Sequence, residues 1–197
     1  MRQIKVIDKN NNEFGRNPEL INDMFKLRSE VFKGRLGWDV ESDKGLEKDF
    51  FDNQQPSYIA MLNESDDIVG GWRAIPTTKS YMLKDIFPEL LRGELAPEEK
   101  NIWEISRFAI SKNRTGKSAR VASEDTAALV SSFYSFAIKN GITDYVLVTT
   151  TACERILRYL GVNMRRMGDG QAMQIGVEKS VALWVKVDKN LNINPIH

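Results

Sequence analysis

Ile102 to Ile110 reads as one β-strand, apolar almost throughout, and it carries a carboxylate and a guanidinium inside the segment Trp103-Glu104-Ile105-Ser106-Arg107-Phe108. Aliphatic and aromatic neighbours put both charges where water is scarce. A charge in such a place is costly unless it is paired or used. A structural ion pair is the plainest use. Strand alternation sends residues three apart to opposite faces. For Glu104 and Arg107 to serve one site, the strand must therefore carry an irregularity between them, and bulges of this kind re-aim side chains next to active sites.

The chain has 197 residues, 42% of them hydrophobic and 28% charged, which is ordinary for one globular domain with a full core. We expect a single domain, 1–197. A net charge of +1 argues against nucleic acid as a partner recruited by overall charge. No apolar run approaches the length of a membrane span and no signal peptide is legible, so the expected setting is cytoplasmic, without a membrane partner. Cys153 is the only cysteine and His197 the only histidine. This composition excludes an internal disulfide, a thiolate metal cluster, a histidine-dependent triad and a His-ligated zinc site. A general base here must be a carboxylate, a lysine, a tyrosine, a backbone carbonyl or a water held by one of them.

Along the chain, Gln3 to Ile7 reads as an opening strand. Asn17-Pro18 reads as a helix start, and Leu20, Met24, Leu27 and Val31 recur at helical spacing until Gly34. Arg28 and Phe32, four apart, share a face of that helix. Residues 37–56 show no period and carry many acids, which suggests a mobile acidic loop with Lys44 and Lys48 solvated. Tyr58 to Leu62 and Ile68 to Ile75 predict a hairpin around Asn63-Glu64-Ser65-Asp66-Asp67. Short helical pieces should fill Tyr81 to Leu91, broken at Pro88. A long helix spans Val121 to Lys139, with Gly141 as its C-terminal cap. Tyr145 to Val148 reads as a buried strand. Thr151 to Glu154 has a capping-box pattern for a helix ending near Gly161. Ala172 to Gly176 and Val181 to Val187 supply closing strands. The fold class is α/β (α+β), with one mixed, mostly antiparallel sheet packed by helices.

Taken in order, Arg28, Phe32, Trp38, Glu47, Asp49, Asp52, Arg73, Phe87, Glu104 and Arg107 resemble the acyl-homoserine lactone synthases of bacterial quorum sensing, the LuxI type. The resemblance runs from about residue 25 to Gly161, and it implies a fold like that of the GNAT N-acetyltransferases. It also implies a reaction in which an acyl thioester, usually on acyl carrier protein, acylates the amine of S-adenosylmethionine. The carboxylate of the same moiety then attacks its own γ-carbon, giving the lactone and methylthioadenosine. S-adenosylmethionine is a substrate, so no cofactor and no metal are expected.

Under that resemblance Glu104 and Arg107 become catalytic candidates, with Glu104 accepting the amine proton directly or through water, and a backbone carbonyl or water as the competing base. A bulge beside them would turn backbone N–H groups toward the thioester carbonyl. Phe32 and Trp38 are natural walls for sulfonium and adenine. Arg28 and Arg73 are expected to hold acids of the 47–52 loop, Arg35 to meet the substrate carboxylate, and Asp49 and Asp52 to receive the ammonium or fasten the loop. Phe87, Phe108 and Leu147 fall to structural or acyl-pocket roles. Counting back ungapped from Gly161 puts Leu147 near the position where a threonine favours 3-oxo chains in this family, which hints at an unsubstituted third carbon. Carrier protein is acidic, and Arg155, Arg158 and Arg166, with Arg165, make a candidate basic dock.

Two rivals are weaker. Ser111 to Ser118 ends Gly-Lys-Ser between a strand and a helix, but a P-loop requires glycine where Ser111 stands. A GNAT-like N-acyltransferase using acyl-CoA on another amine would need a pyrophosphate turn, and Asn113 to Ser118 has the wrong first and last residues for one.

Overall fold

Residues 2–8, 18–112, 124–188 and 193 are described in a computed structural model of the chain. They form two compact units, Met1–Ala74 with Arg107–Arg120, and Ile75–Ser106 with Val121–His197.

In the first unit, β1 (Gln3–Ile7) pairs antiparallel with β4 (Ser57–Leu62), which pairs antiparallel with β5 (Ile68–Pro76). The turn between β4 and β5 is built as its sequence suggests: the Asn63 side chain accepts from Ser65 N and Asp67 N, both at 2.9 Å. Helix α1 (Pro18–Arg28) lays Leu20, Ile21, Met24, Phe25 and Leu27 on Ile7, Tyr58, Ala60, Leu62 and Ile68. Asn17, the expected N-cap, lies outside the described residues. Gly71 on β5 lets α1 approach, because a Cβ there would stand 2.6 Å from Met24 Cε and 2.7 Å from Ile59 O.

The helix does not stop cleanly at Gly34. It widens after Arg28 into a π-helical segment, Ser29–Arg35, and Gly37 (φ 65°) turns the chain away. The acidic stretch is likewise built rather than loose. It forms a small hairpin, β2 (Ser42–Asp43) with β3 (Leu46–Glu47), and a 3₁₀ turn, Phe50–Gln54.

In the second unit, β6 (Ile102–Ile110, which continues into the first unit) runs parallel to β7 (Asp144–Thr150) over Ile102–Glu104. Strand β10 (Glu178–Lys186) pairs antiparallel with β7, with β8 (Met164–Arg166) and with β9 (Met173–Ile175). The pairing is thus mixed and mostly antiparallel, with helices packed on it, which is the expected class.

Two short pieces, α2 (Met82–Asp85) and a 3₁₀ turn at Pro88–Leu91, precede β6. Helix α3 (Glu124–Asn140) is pinned to β7 where Tyr145 Oη donates to Phe133 O at 2.8 Å. It ends at Gly141 (φ 66°), where Ile142 N donates to Ala137 O in the manner of a Schellman cap. Residues 121–123, the expected start of this helix, and Asn113 to Ser118 of the P-loop-like segment lie outside the described residues. Helix α4 (Thr151–Tyr159) starts one residue before the expected box: Thr150 is the cap, its Oγ1 accepting from Cys153 N.

Candidate active site

The charged residues of the first unit converge on one buried network. Arg28, the last residue of α1, is fully enclosed, and its Nε donates to Glu47 Oε2. Its two terminal nitrogens donate to the two oxygens of Asp52, at 2.8 and 3.0 Å. This is the bidentate fork that only arginine supplies. Arg73, from β5, puts Nη1 2.5 Å from Asp49 Oδ1 and 2.8 Å from Asp52 Oδ1. Arg107 closes the set, with Nε 3.1 Å from Glu47 Oε1 and Nη2 2.8 Å from Asp49 Oδ2. Three guanidinium groups thus meet three carboxylates. Their charges cancel, the condition under which buried ions are tolerated.

Local structure aims these groups. Asp49 caps the Phe50–Gln54 turn in a full capping box: its side chain accepts from Phe51 N, and Asp52 Oδ2 accepts from Asp49 N. Arg107 has φ of 56°, a left-handed conformation unusual for a residue other than glycine, in the middle of a strand. The irregularity expected between Glu104 and Arg107 therefore falls at Arg107 itself. Burial pushes the Asp52 carboxyl up, but Arg28 and Arg73 beside it prevail and hold it well below the usual carboxylate range. Arg107 is lowered too, but for the opposite reason. Burial lowers it, and the attraction of Glu47 and Asp49 only partly offsets that.

The aromatic walls lie against this network. Phe32 and Trp38 stack at 5.2 Å and 11° between planes, and the Arg107 guanidinium lies 5.6 Å from the Phe32 centroid. Arg35 lies apart from the network, on an exposed face, where it donates to Ile110 O at 2.8 Å. Lys48 is exposed, as expected, with its ammonium 4.7 Å from the centre of the Phe25 ring.

In the second unit Glu104 is buried, and both its oxygens accept backbone N–H groups: Leu83 N at 2.7 Å and Met82 N at 3.1 Å. Tyr81, at the N-cap of α2, offers no side-chain cap, and the Glu104 carboxylate fills that place from another element. Phe87 is half-buried at the entry to the Pro88–Leu91 turn, and Leu147 is buried on β7 opposite Leu183; Phe108, half-buried on β6, belongs to the first unit. The expected basic dock is partly neutralised. Arg158 Nη2 lies 3.0 Å from Glu154, Arg166 grips the same carboxylate through Nε and Nη2, and Arg165 is held by Glu94. Arg155 is exposed on α4.

The sequence model of the autoinducer synthase family matches residues 12–193. An acyl-homoserine-lactone synthase of Aliivibrio fischeri is 43% identical over 166 residues, 84% of this chain and 86% of its own. This chain belongs to the autoinducer synthase family. It is an acyl-homoserine-lactone synthase. Among solved structures, the synthase LasI superposes with a TM-score of 0.85 at 33% identity, covering 97% of this chain and 92% of its own. The CoA-dependent synthase BjaI, solved with S-adenosylmethionine and isopentyl-CoA, has the same TM-score at 22% identity, covering 97% and 86%. A protein assigned as an N-acetyltransferase in Lactobacillus plantarum shares the fold alone, with a TM-score of 0.61 at 13% identity over 94% of this chain and 98% of its own. The GNAT-like fold is as expected, and the rival reading of a general N-acyltransferase gives way to the synthase.

One participant in the synthase's network escaped the sequence reading of the site, whereas Glu47 stood in it as an acid of the 47–52 loop. Tyr58 was read as a strand residue, and nothing local marks it as polar machinery. Its hydroxyl donates to Asp52 Oδ1 at 2.7 Å.

Proposed function

We propose that the network of Arg28, Arg73, Arg107, Glu47, Asp49 and Asp52 receives the amino-acid head of S-adenosylmethionine, with Phe32 and Trp38 facing its sulfonium and adenine. One observation carries this reading: the network is neutral, and its accessible side is a pair of opposite charges. The Asp49 side chain is 18% exposed and that of Arg107 12%, against 6% for Asp52 and 1% or less for Glu47, Arg28 and Arg73. A zwitterionic head complements such a pair without burying net charge. Its carboxylate meets Arg107 and its ammonium meets Asp49. Arg28, Arg73, Glu47 and Asp52 are the scaffold, and Arg35 is left outside.

The amine of the bound substrate, after losing a proton, attacks the thioester carbonyl. The C–N bond forms, the C–S bond breaks, and the thiol leaves with a proton. The carboxylate oxygen then displaces sulfur at the γ-carbon, closing the lactone and releasing neutral methylthioadenosine. Both nucleophiles belong to one molecule, so this second step is mainly positioning. Both Glu104 oxygens accept amide hydrogen bonds from the start of α2, so we assign it to holding α2 in place. A free α-amine titrates at about 7.7–8.0, which leaves a usable neutral fraction near neutrality for water or a backbone carbonyl to maintain.

For the donor we propose acyl carrier protein, met by Arg155 and Arg158, with an unsubstituted acyl chain against Leu147, which offers no hydrogen-bond donor. Phe87 and Phe108 are assigned to packing, each within its own unit. The whole of 1–197 is read as one catalytic domain in the cytoplasm, where both substrates are made. The family match across both units supports this. The test is purified protein with S-adenosylmethionine and matched acyl chains on carrier protein and on CoA, following methylthioadenosine and the lactone by mass spectrometry. Turnover with carrier protein that falls severalfold in Arg155→Glu, leaving CoA turnover unchanged, is the expected result. Equal rates on both donors would overturn the carrier-protein assignment, and the lack of any methylthioadenosine would overturn the substrate reading.

A further inference from the structure

Resting on the assignment of Asp49 to the substrate ammonium, we propose that Tyr58 is a positioning residue for S-adenosylmethionine, its hydroxyl setting Asp49 through Asp52. Strand register begins the argument. Tyr58 on β4 stands directly opposite Arg73 on β5, so the two side chains leave neighbouring strands side by side. Both end on the same atom: Asp52 Oδ1 takes the Tyr58 hydroxyl at 2.7 Å and Arg73 Nη1 at 2.8 Å, with Arg28 Nη1 also at 2.8 Å. The arginines lie at the end of a helix and on a strand, and each is shared with other acids. The hydroxyl is the one neutral donor among the three, and the Tyr58 ring is fixed edge-on against Phe25 at 5.9 Å.

From Asp52 the constraint passes to Asp49. Asp52 Oδ2 accepts Asp49 N at 2.8 Å, and Asp49 Oδ1 is turned to Phe51 N and Arg73. Those bonds leave Asp49 Oδ2 as the remaining oxygen. It is buried, 2.8 Å from Arg107 Nη2 and 3.7 Å from Arg28 Nη2, and accepts no aligned hydrogen bond among the described residues. A zwitterion reaches this buried acceptor by displacing Arg107, its ammonium taking Oδ2 and its carboxylate the displaced guanidinium. Removing the Tyr58 hydroxyl lets Asp52 slide toward the arginines and turns Asp49 with it. The effect belongs to the amino-acid head alone, because the thioadenosine portion carries neither the ammonium nor the carboxylate.

The experiment is calorimetric titration of the whole protein with S-adenosylmethionine and, separately, with methylthioadenosine, for wild type, Tyr58→Phe, Asp49→Asn and the double variant. Tyr58→Phe should weaken S-adenosylmethionine about tenfold, the scale of one hydrogen bond to a charged acceptor, and leave methylthioadenosine unchanged. In the Asp49→Asn background the same change should have no further effect. KM for S-adenosylmethionine should rise with kcat nearly constant. Equal weakening of both ligands, unchanged binding of both, or additive losses in the double variant would each overturn the proposal. Wild-type affinity for S-adenosylmethionine in Asp49→Asn would instead overturn the underlying assignment of Asp49, whatever Tyr58→Phe does.

Discussion

Arg28 makes three directed contacts from one planar group, to Glu47 Oε2 and to both oxygens of Asp52, with no water-accessible surface. A lysine carries one nitrogen on a flexible stem and cannot span those positions. Arg28→Lys should therefore leave a buried carboxylate short of its partner, and the loss is expected to be about 3–5 kcal/mol. Urea denaturation checks it, with a midpoint far below wild type or no folded baseline. Glu104 makes the complementary case. Glutamine has one carbonyl oxygen for two amide donors, and its NH₂ faces one of them. Glu104→Gln should cost about 1–3 kcal/mol and lower Tm by several degrees. A Glu104 acting only as a proton acceptor would give a variant that melts with wild type and loses turnover alone.

At the level of elements, the site depends on α1 lying close on β5, because Arg28 ends the one and Arg73 belongs to the other. That approach passes over Gly71. A methyl group there meets Met24 Cε at 2.6 Å and the Ile59 carbonyl at 2.7 Å, the second of which is backbone within the β4–β5 ladder and has little room to yield. Gly71→Ala should destabilise by about 1–3 kcal/mol through overpacking. Adding Met24→Ala should restore only part of the loss, since it clears the side-chain clash and not the carbonyl. Thermal melts of the two single variants and the double variant measure both terms. The π-helical turn Ser29–Arg35 belongs to the same scale: it carries Phe32, while Arg28 closes the α-helix before it.

For the whole molecule the network predicts how stability depends on pH. Asp52 is held below the ordinary carboxylate range in the folded chain, and it returns to about 3.9 when unfolded. Glu94 beside Arg165 and Glu154 beside Arg166 are shifted in the same direction. The stability that these groups lend is complete above about pH 5 and is lost progressively as pH falls through 4 toward their folded values. Urea midpoints measured from pH 7 to pH 3 should stay flat and then drop. In Asp52→Asn, less stable throughout, the drop should be shallower. An equally steep drop in that variant would show that the acid limb comes from other carboxylates.

The alternation and punctuation of the sequence were enough to read β1, β4, β5, β7 and the cap of α3 at Gly141, because these follow from local propensity and from glycine's tolerance of positive φ. The ordered arginines, acids and aromatics carried the family, and the unpaired cost of Glu104 and Arg107 in an apolar strand announced that something must neutralise them. The sequence did not reveal the partners. Glu104 went to the amides of Met82 and Leu83, Arg107 to Glu47 and Asp49, and the supposedly loose acidic stretch became a hairpin and a capped turn because arginines from α1, β5 and β6 reach it. Tyr58 entered the network through strand register alone. Which charges meet is decided by contacts between residues 19 to 60 positions apart, and no local pattern encodes a contact of that range.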